Sequence, residues 1–197
     1  MEEKVNIFIA FMLPKAASSD MSNVADDVKE LFLPDGKDET FFHCTLLFIG
    51  RVAKDYIPFI QEKMKSIAAV QKPITIDIDD IGYFYSTKKD RIKVLYAKPS
   101  VMPPALTELC AMLYDTIGKP LEGKTTPPIN SARIHFTITK RLKRKLTRED
   151  FESIKTKLRH FNIPVTIDNI GLYYCKDAEH RYYREISRYD FPASAQY

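Results

Sequence analysis

An α+β fold of two pseudo-symmetric lobes is what this sequence predicts, on three observations. Segments rich in β-branched and aromatic residues recur along the chain. Helical apolar spacings stopped by proline or glycine lie between them. One segment is echoed: PITIDIDDIGYFY (Pro73–Tyr85) returns as PVTIDNIGLYY (Pro164–Tyr174), two residues shorter, and each follows a strand that carries a histidine and a threonine. The expected organisation is one bilobal domain over residues 1–197, with half-repeats of roughly 1–100 and 101–197.

The elements follow in order. Val5–Leu13 is apolar on both faces and closed by Pro14, as a central buried strand is. Met21–Phe32 spaces Val24, Val28, Leu31 and Phe32 as a helix does, and Pro34 and Gly36 end it. Phe41–Ile49 is a second strand, ended by Gly50. Tyr56–Val70 is an amphipathic helix with Pro58 near its first turn. Ile74–Tyr85 and Lys93–Lys98 are strands joined by the polar turn Ser86–Asp90. Met102–Ile117 is a helix opened by Pro103 and Pro104 and closed by Gly118. The Lys-, Thr- and Pro-rich stretch Lys119–Pro128 is a loop. The plan then repeats: strand Arg133–Leu142, helix Arg148–Phe161, strand Val165–Tyr174, a polar turn, and strand Tyr182–Tyr189.

The bulk properties narrow the class. The chain has 197 residues, 45% of them hydrophobic and 28% charged, which is an ordinary globular balance. A net charge of +4 suits an anionic ligand without requiring one. Cys44, Cys110 and Cys175 are odd in number, widely spaced and form no C-x-x-C pair. A disulfide framework or structural metal is therefore not expected, and a reducing, cytoplasmic setting is. The start Met1-Glu2-Glu3-Lys4 and the short apolar run after it match neither a signal peptide nor a membrane span.

The chemistry lies in two His-x-Thr motifs. Alternation in the later strand puts Ile134, Phe136 and Ile138 on one face and Arg133, His135, Thr137, Thr139 and Arg141 on the other. The earlier strand puts Phe42, Cys44, Leu46 and Phe48 on a core face, with His43, Thr45, Leu47 and Ile49 opposite. Residues two apart on a strand face lie about 6.5–7 Å apart. Such a pair can bring an imidazole for proton transfer and a hydroxyl for a non-bridging oxygen to one phosphate. Two facing copies would supply a base and an acid, and imidazoles titrate near neutrality, so no metal or cofactor is needed. Chance supplies roughly half a His-x-Ser/Thr match in such a chain. Two copies at equivalent places in a repeated plan carry more weight.

These segments resemble the 2H phosphoesterases, and within them the LigT-like branch that includes RNA 2′,3′-cyclic phosphodiesterases. The likeness runs over nearly the whole chain: FIAFMLP, HCTLLFIGRV, DIGYFY with KVLYAK, HFTITK, IGLYY and REISRY. It implies antiparallel sheets facing a central cleft with helices outside. It makes His43 and His135 the acid–base pair and Thr45 and Thr137 the phosphate ligands. The branch often has an arginine five residues after the second histidine; Lys140 stands there as the third phosphate-binding candidate, keeping the charge and losing the bidentate fork. Where the branch often has a serine near IGLYY, this chain has Cys175.

Other features stay open at this level. Tyr83, Tyr85, Tyr173 and Tyr174 are base-stacking candidates, although tyrosines in strands commonly serve packing. Lys140 aside, the basic run Lys140–Lys145 fits a nucleic-acid-steering surface and a solvated strand end equally. His160 and His180 are expected at the surface. The expected activity is metal-independent cleavage of 2′-linked nucleotide phosphodiesters. The expected partner is a nucleotide or short RNA, with three substrates competing (an RNA end with a 2′,3′-cyclic phosphate, a 2′-5′ oligoadenylate, or a cyclic dinucleotide with a 2′-5′ bond), and a monomer without membrane association is expected. The alternative is a non-catalytic nucleotide- or RNA-binding module using the same cleft. An RNA-ligase activity lacks a nucleotide-accepting lysine motif.

Overall fold

The computed structural model describes residues 2–31, 42–89, 91–125, 134–139, 142, 146–175 and 183–193. Lys140, Arg133, Arg141, His180, the end of the 119–128 loop and the basic run apart from Leu142 lie outside the described residues.

The fold is α+β, with two antiparallel sheets and four α-helices among the described residues. The strands are β1 Lys4–Met12, β2 His43–Ala53, β3 Ile74–Ile78, β4 Asp80–Ser86, β5 Arg91–Lys98, β6 Phe136–Thr139, β7 Ile163–Ile167, β8 Asn169–Tyr174 and β9 Arg184–Asp190. The helices are α1 Lys15–Asp26, α2 Ile57–Ala68, α3 Pro104–Leu113 and α4 Arg148–Lys157. The larger sheet runs β4-β5-β6-β2-β1-β8-β9, and β3 pairs with β7 in a two-stranded ribbon. The sequence halves therefore interleave: β1 and β2 are joined by β8 and β9, while β6 is joined by β4 and β5. The echoed segments form matching β3–β4 and β7–β8 units, each broken at an aspartate, Asp79 or Asp168. The two copies of the ribbon strand pair with one another, with Thr75 opposite Thr166.

Helix starts follow local chemistry. α1 begins at Lys15, six residues before the apolar spacing alone suggests, because Pro14 sets the first turn and Ser18 Oγ donates to the Leu13 carbonyl at 3.1 Å. α4 opens with a reciprocal cap: the Asp150 amide donates to Thr147 Oγ1, and the Thr147 amide donates to the Asp150 carboxylate. Behind β4, burial works against the Asp80 carboxylate, but Lys98 and Lys155, each at 2.9 Å, outweigh it and hold the carboxyl below its usual range.

The two faces of the large sheet have different fates. Ile7, Ile9, Phe11, Cys44, Leu95, Phe136, Ile170 and Leu172 join the helix residues Met21, Ile60, Met64, Leu106 and Leu109 in the main core. On the opposite face Phe8, Ala10 and Tyr173 form a small cluster, flanked by Met12, Phe48, Cys175 and Tyr183. This second face carries the site.

Strict alternation does not hold past either motif. In β2, Ala10 opposes Thr45 and Ile9 opposes Leu47, so Leu46 is an extra residue in a bulge. A second irregularity leaves out Ile49, beside Gly50, whose φ of 82° suits glycine. The strand continues through Gly50 to Ala53 rather than ending there. Parity slips accordingly. Phe48, expected on the core face, opposes Phe8 on the site face, while Leu47 and Ile49 are fully buried in the main core. β6 repeats the device: Tyr96 opposes Thr137 and Leu95 opposes Thr139, with Ile138 between them. Thr139, expected beside His135, thus turns to the core side with Leu95 and is 3% exposed. In each motif the bulge follows the threonine directly, so the row of site-facing polar groups stops after His-x-Thr.

Candidate active site

The seam between β2 and β6 assembles the site. Cys44 opposes Phe136 in an antiparallel pair. That register sets His43 beside Thr137 and Thr45 beside His135, so the four residues make a square on one sheet face with the histidines on one diagonal. Diagonal neighbours of this kind lie about 7–8 Å apart, which leaves room for a phosphate between two imidazoles. All four residues line one cavity of about 220 Å³, together with Phe8, Phe48, Phe84, Val94, Cys175 and Tyr183. His43, Thr45 and His135 are half-buried, and Thr137 is 6% exposed.

Among the described residues each imidazole belongs to a cluster of three mutually contacting rings. The His43 centroid lies 5.4 Å from Phe8 and 4.6 Å from Tyr183, and Phe8 lies 5.1 Å from Tyr183. The His135 centroid lies 4.9 Å from Phe84 and 5.3 Å from Tyr96, and Phe84 lies 4.6 Å from Tyr96. One phenylalanine and one tyrosine thus hold each histidine, mostly edge to face. Close glycine contacts back the clusters. A Cβ built on Gly82 would come within 2.5 Å of the Tyr96 ring, and one on Gly171 within 2.5 Å of the Tyr173 ring. Tyr173 packs behind Phe8 at 5.7 Å and donates to Glu185 at 3.1 Å. Burial, with the Glu185 charge, pushes its phenol up to about 12, although Arg188 opposes this.

The four tyrosines marked in the sequence do not line the cavity. Tyr83 packs on Phe151 of α4 at 4.5 Å, and Tyr85 lies under the Arg148 guanidinium, both on the helix side. Tyr174 sits on the main-core face with Arg184 over its ring at 4.5 Å. Tyr173 is on the site face, buried behind Phe8. Alternation explains the reversal: in IGYFY, Gly82 and Phe84 share one face and Tyr83 and Tyr85 the other. The rings that do meet the histidines, Phe8, Phe84, Tyr96 and Tyr183, lie on four different segments. Two of them could have been found from parity, since Phe84 follows Gly82 by two and Tyr96 pairs across to Gly82. His160 is exposed, with Arg159 Nε donating to it at 2.8 Å.

The thiols separate by setting. Cys44 lies at the seam, and burial, with Cys110 nearby, raises its thiol to about 12 against a weaker hydrogen bond with the His135 backbone. Burial likewise raises Cys110 to about 12. Cys175 is half-buried at the cavity. Among the described residues no three His, Cys, Asp or Glu side chains gather as metal ligands would. No described helix is long and apolar enough to cross a membrane.

A family model described as the 2′-5′ RNA ligase superfamily matches residues 16–179. The fold is similar to E. coli LigT complexed with 3′-AMP, at TM-score 0.73 and 19% identity, covering 96% of this chain and 99% of that one. It is also similar to a protein of Thermus thermophilus, at TM-score 0.67 and 16% identity over 94% and 97% of the two chains. Kluyveromyces marxianus Usb1 is more distant, at TM-score 0.51 and 12% identity over 92% and 97%. No curated protein matches the sequence.

Proposed function

Because the chain belongs to the 2′-5′ RNA ligase superfamily, the 2H phosphoesterases, we propose that it is a metal-independent phosphodiesterase acting on 2′-linked nucleotide phosphodiesters. These are 2′-5′ bonds in oligoadenylates or cyclic dinucleotides, or 2′,3′-cyclic phosphates. One observation carries the reading: the Cys44–Phe136 register, which sets two histidines on one diagonal and two threonines on the other at the floor of one cavity. E. coli LigT has been crystallised with 3′-AMP, ATP and NADP+, which supports a nucleotide as the ligand of the shared fold.

His43 and His135 divide the proton work, and Thr45 and Thr137 donate to the non-bridging oxygens. In a 2′,3′-cyclic phosphate, one imidazole takes a proton from water as the water oxygen attacks phosphorus. The bond from phosphorus to a sugar oxygen breaks, and the other imidazole, protonated, returns a proton to that oxygen. In a 2′-5′ linkage the neighbouring 3′-hydroxyl is the nucleophile. The bond to the 5′ oxygen then breaks, and the products are a 2′,3′-cyclic phosphate and a free 5′-hydroxyl. Both routes need one neutral and one protonated imidazole, so kcat/KM should be bell-shaped about neutrality.

The test is a panel in EDTA comparing a 2′,3′-cyclic phosphate RNA end, a 2′-5′ oligoadenylate and a cyclic dinucleotide with a 2′-5′ bond. Chromatography of the product ends separates hydrolysis from transesterification. Turnover of at least one substrate with a bell-shaped pH profile is expected. Binding without turnover, unchanged when both histidines are replaced, would instead establish the non-catalytic module.

A further inference from the structure

The two ring clusters differ in how each ring is used. Phe8 reaches the cavity but is 2% exposed, held between His43 and Tyr173. Tyr183, the other partner of His43, is half-buried and lines the cavity. On the opposite side Phe84 lines the cavity and is also half-buried, while Tyr96 lies across Gly82. Each histidine therefore has one neighbouring ring that faces both the cavity and solvent. Phe84 belongs to β4, at one end of the large sheet, and Tyr183 directly precedes β9, at the other. The phosphate square lies between them.

The size of the cavity bears on what these rings meet. About 220 Å³ is short of the roughly 300–1,000 Å³ that encloses a small ligand whole. The square seats a phosphodiester and its adjoining oxygens, and whatever the phosphate bridges must leave the cavity along its walls. Both walls carry a flat aromatic ring, and Phe48 and Val94 extend their apolar surface. A base stacks on such a ring whatever its hydrogen-bonding edge.

We propose that Phe84 and Tyr183 are paired stacking platforms, one for the nucleoside on each side of the scissile phosphate, so that the preferred substrate is a dinucleoside phosphodiester. This rests on the phosphodiesterase reading for its chemistry and narrows the substrate class. A 2′-5′-linked or cyclic dinucleotide uses both platforms. A terminal 2′,3′-cyclic phosphate, with a nucleoside on one side only, uses one.

The test measures binding apart from turnover. The probe is a 2′-5′ adenosine dinucleoside analogue with a methylene in place of the bridging 5′ oxygen, which the enzyme cannot cleave at that bond. The comparison ligand is adenosine 2′-methylphosphonate, which carries one nucleoside and, with a methyl group bonded directly to phosphorus, likewise has no oxygen to lose at that position. In titration calorimetry, Phe84→Leu and Tyr183→Leu, which keep apolar bulk and remove the π face, should each raise Kd for the dinucleoside roughly 5- to 150-fold. Only one of them should weaken the single-nucleoside ligand. Phe84→Tyr and Tyr183→Phe, which keep a ring, should stay within about threefold of the unmodified protein, and melting curves identify any variant that fails to fold. Unchanged dinucleoside affinity in either Leu variant overturns the proposal, as does equal weakening of both ligands by both variants. Should a Leu variant fail to fold, a ring-retaining variant whose affinity falls as far as about 5-fold also overturns it. Failure of the unmodified enzyme to cleave any 2′-linked substrate would sink the phosphodiesterase reading and leave this binding result standing by itself.

Discussion

The His43 half and the His135 half of the site share a motif, a bulge after the threonine and a three-ring cluster, yet they are backed differently. Phe8 stands against Tyr173, which is 3% exposed and tied through its hydroxyl to Glu185, itself held by Arg188 at 2.7 Å. The His135 cluster has no such second layer among the described residues: Phe84 and Tyr96 are both half-buried, and Tyr96 rests on the bare backbone at Gly82. One imidazole is set in a packed wall and the other in a more yielding one. Repetition of a fold therefore duplicates the His-x-Thr motif without duplicating the packing of its supports.

The largest expected effect tests whether the halves act as a pair. His43→Ala and His135→Ala should each lower kcat by about 10²–10⁴-fold, the usual contribution of a positioned acid or base. If each proton transfer depends on the other, the double variant should lose little more than the worse single variant. Losses that multiply in steady-state assays would mean that the two halves work independently.

The next effect concerns the seam that joins them. Cys44 and Cys110 have thiols raised from 9.0 to about 12, first by burial. A folded pKa above the unfolded value means that the stabilisation is complete below about pH 9 and is lost as pH rises towards 12. For Cys44 alone, a rise of about three units corresponds to at most about 4 kcal/mol. Denaturant melts should show stability falling between pH 9 and 12, and Cys44→Ala should flatten that slope. An unchanged slope in the variant would remove the seam thiol from the account.

The two halves also show what a sequence reveals and what it withholds. His43, Thr45, His135 and Thr137 were legible because alternation and repetition are local patterns, and they converge in one cavity. The echoed segments likewise mark the β3–β4 and β7–β8 units. Parity beyond each motif was not legible, because a bulge at Leu46 or Ile138 depends on the strand across from it, so Phe48 and Thr139 end up on faces opposite to those alternation gives. The ring clusters were only partly legible: parity from Gly82 points to Phe84 and Tyr96 in the β4–β5 hairpin, whereas Phe8 and Tyr183 are distant in sequence and meet only through the strand order. In IGYFY and IGLYY a run of aromatic letters does not say which face is wet, which is why the tyrosines marked there lie away from the cavity.

The smallest expected effect separates the two supports directly. A methyl group on Gly171 would press on the ring of Tyr173, which is buried and anchored at its hydroxyl, so neither side can give way. Overpacking of that kind costs about 1–3 kcal/mol, and Gly171→Ala should show it as a lower melting temperature. On Gly82 the same methyl group meets Tyr96, which is half-buried and can swing outward, so the stability loss should be smaller. Tyr96 would then carry Phe84 and His135 with it. Since displacements near 1 Å can cost as much as about 100-fold, Gly82→Ala should lower kcat by about tenfold or more. The contrast is a variant that melts early against one that reacts slowly. If Gly82→Ala keeps full kcat, Tyr96 does not hold His135 in place, and the softer half is simply tolerant; if Gly171→Ala melts normally, the wall behind His43 is no stiffer than its counterpart.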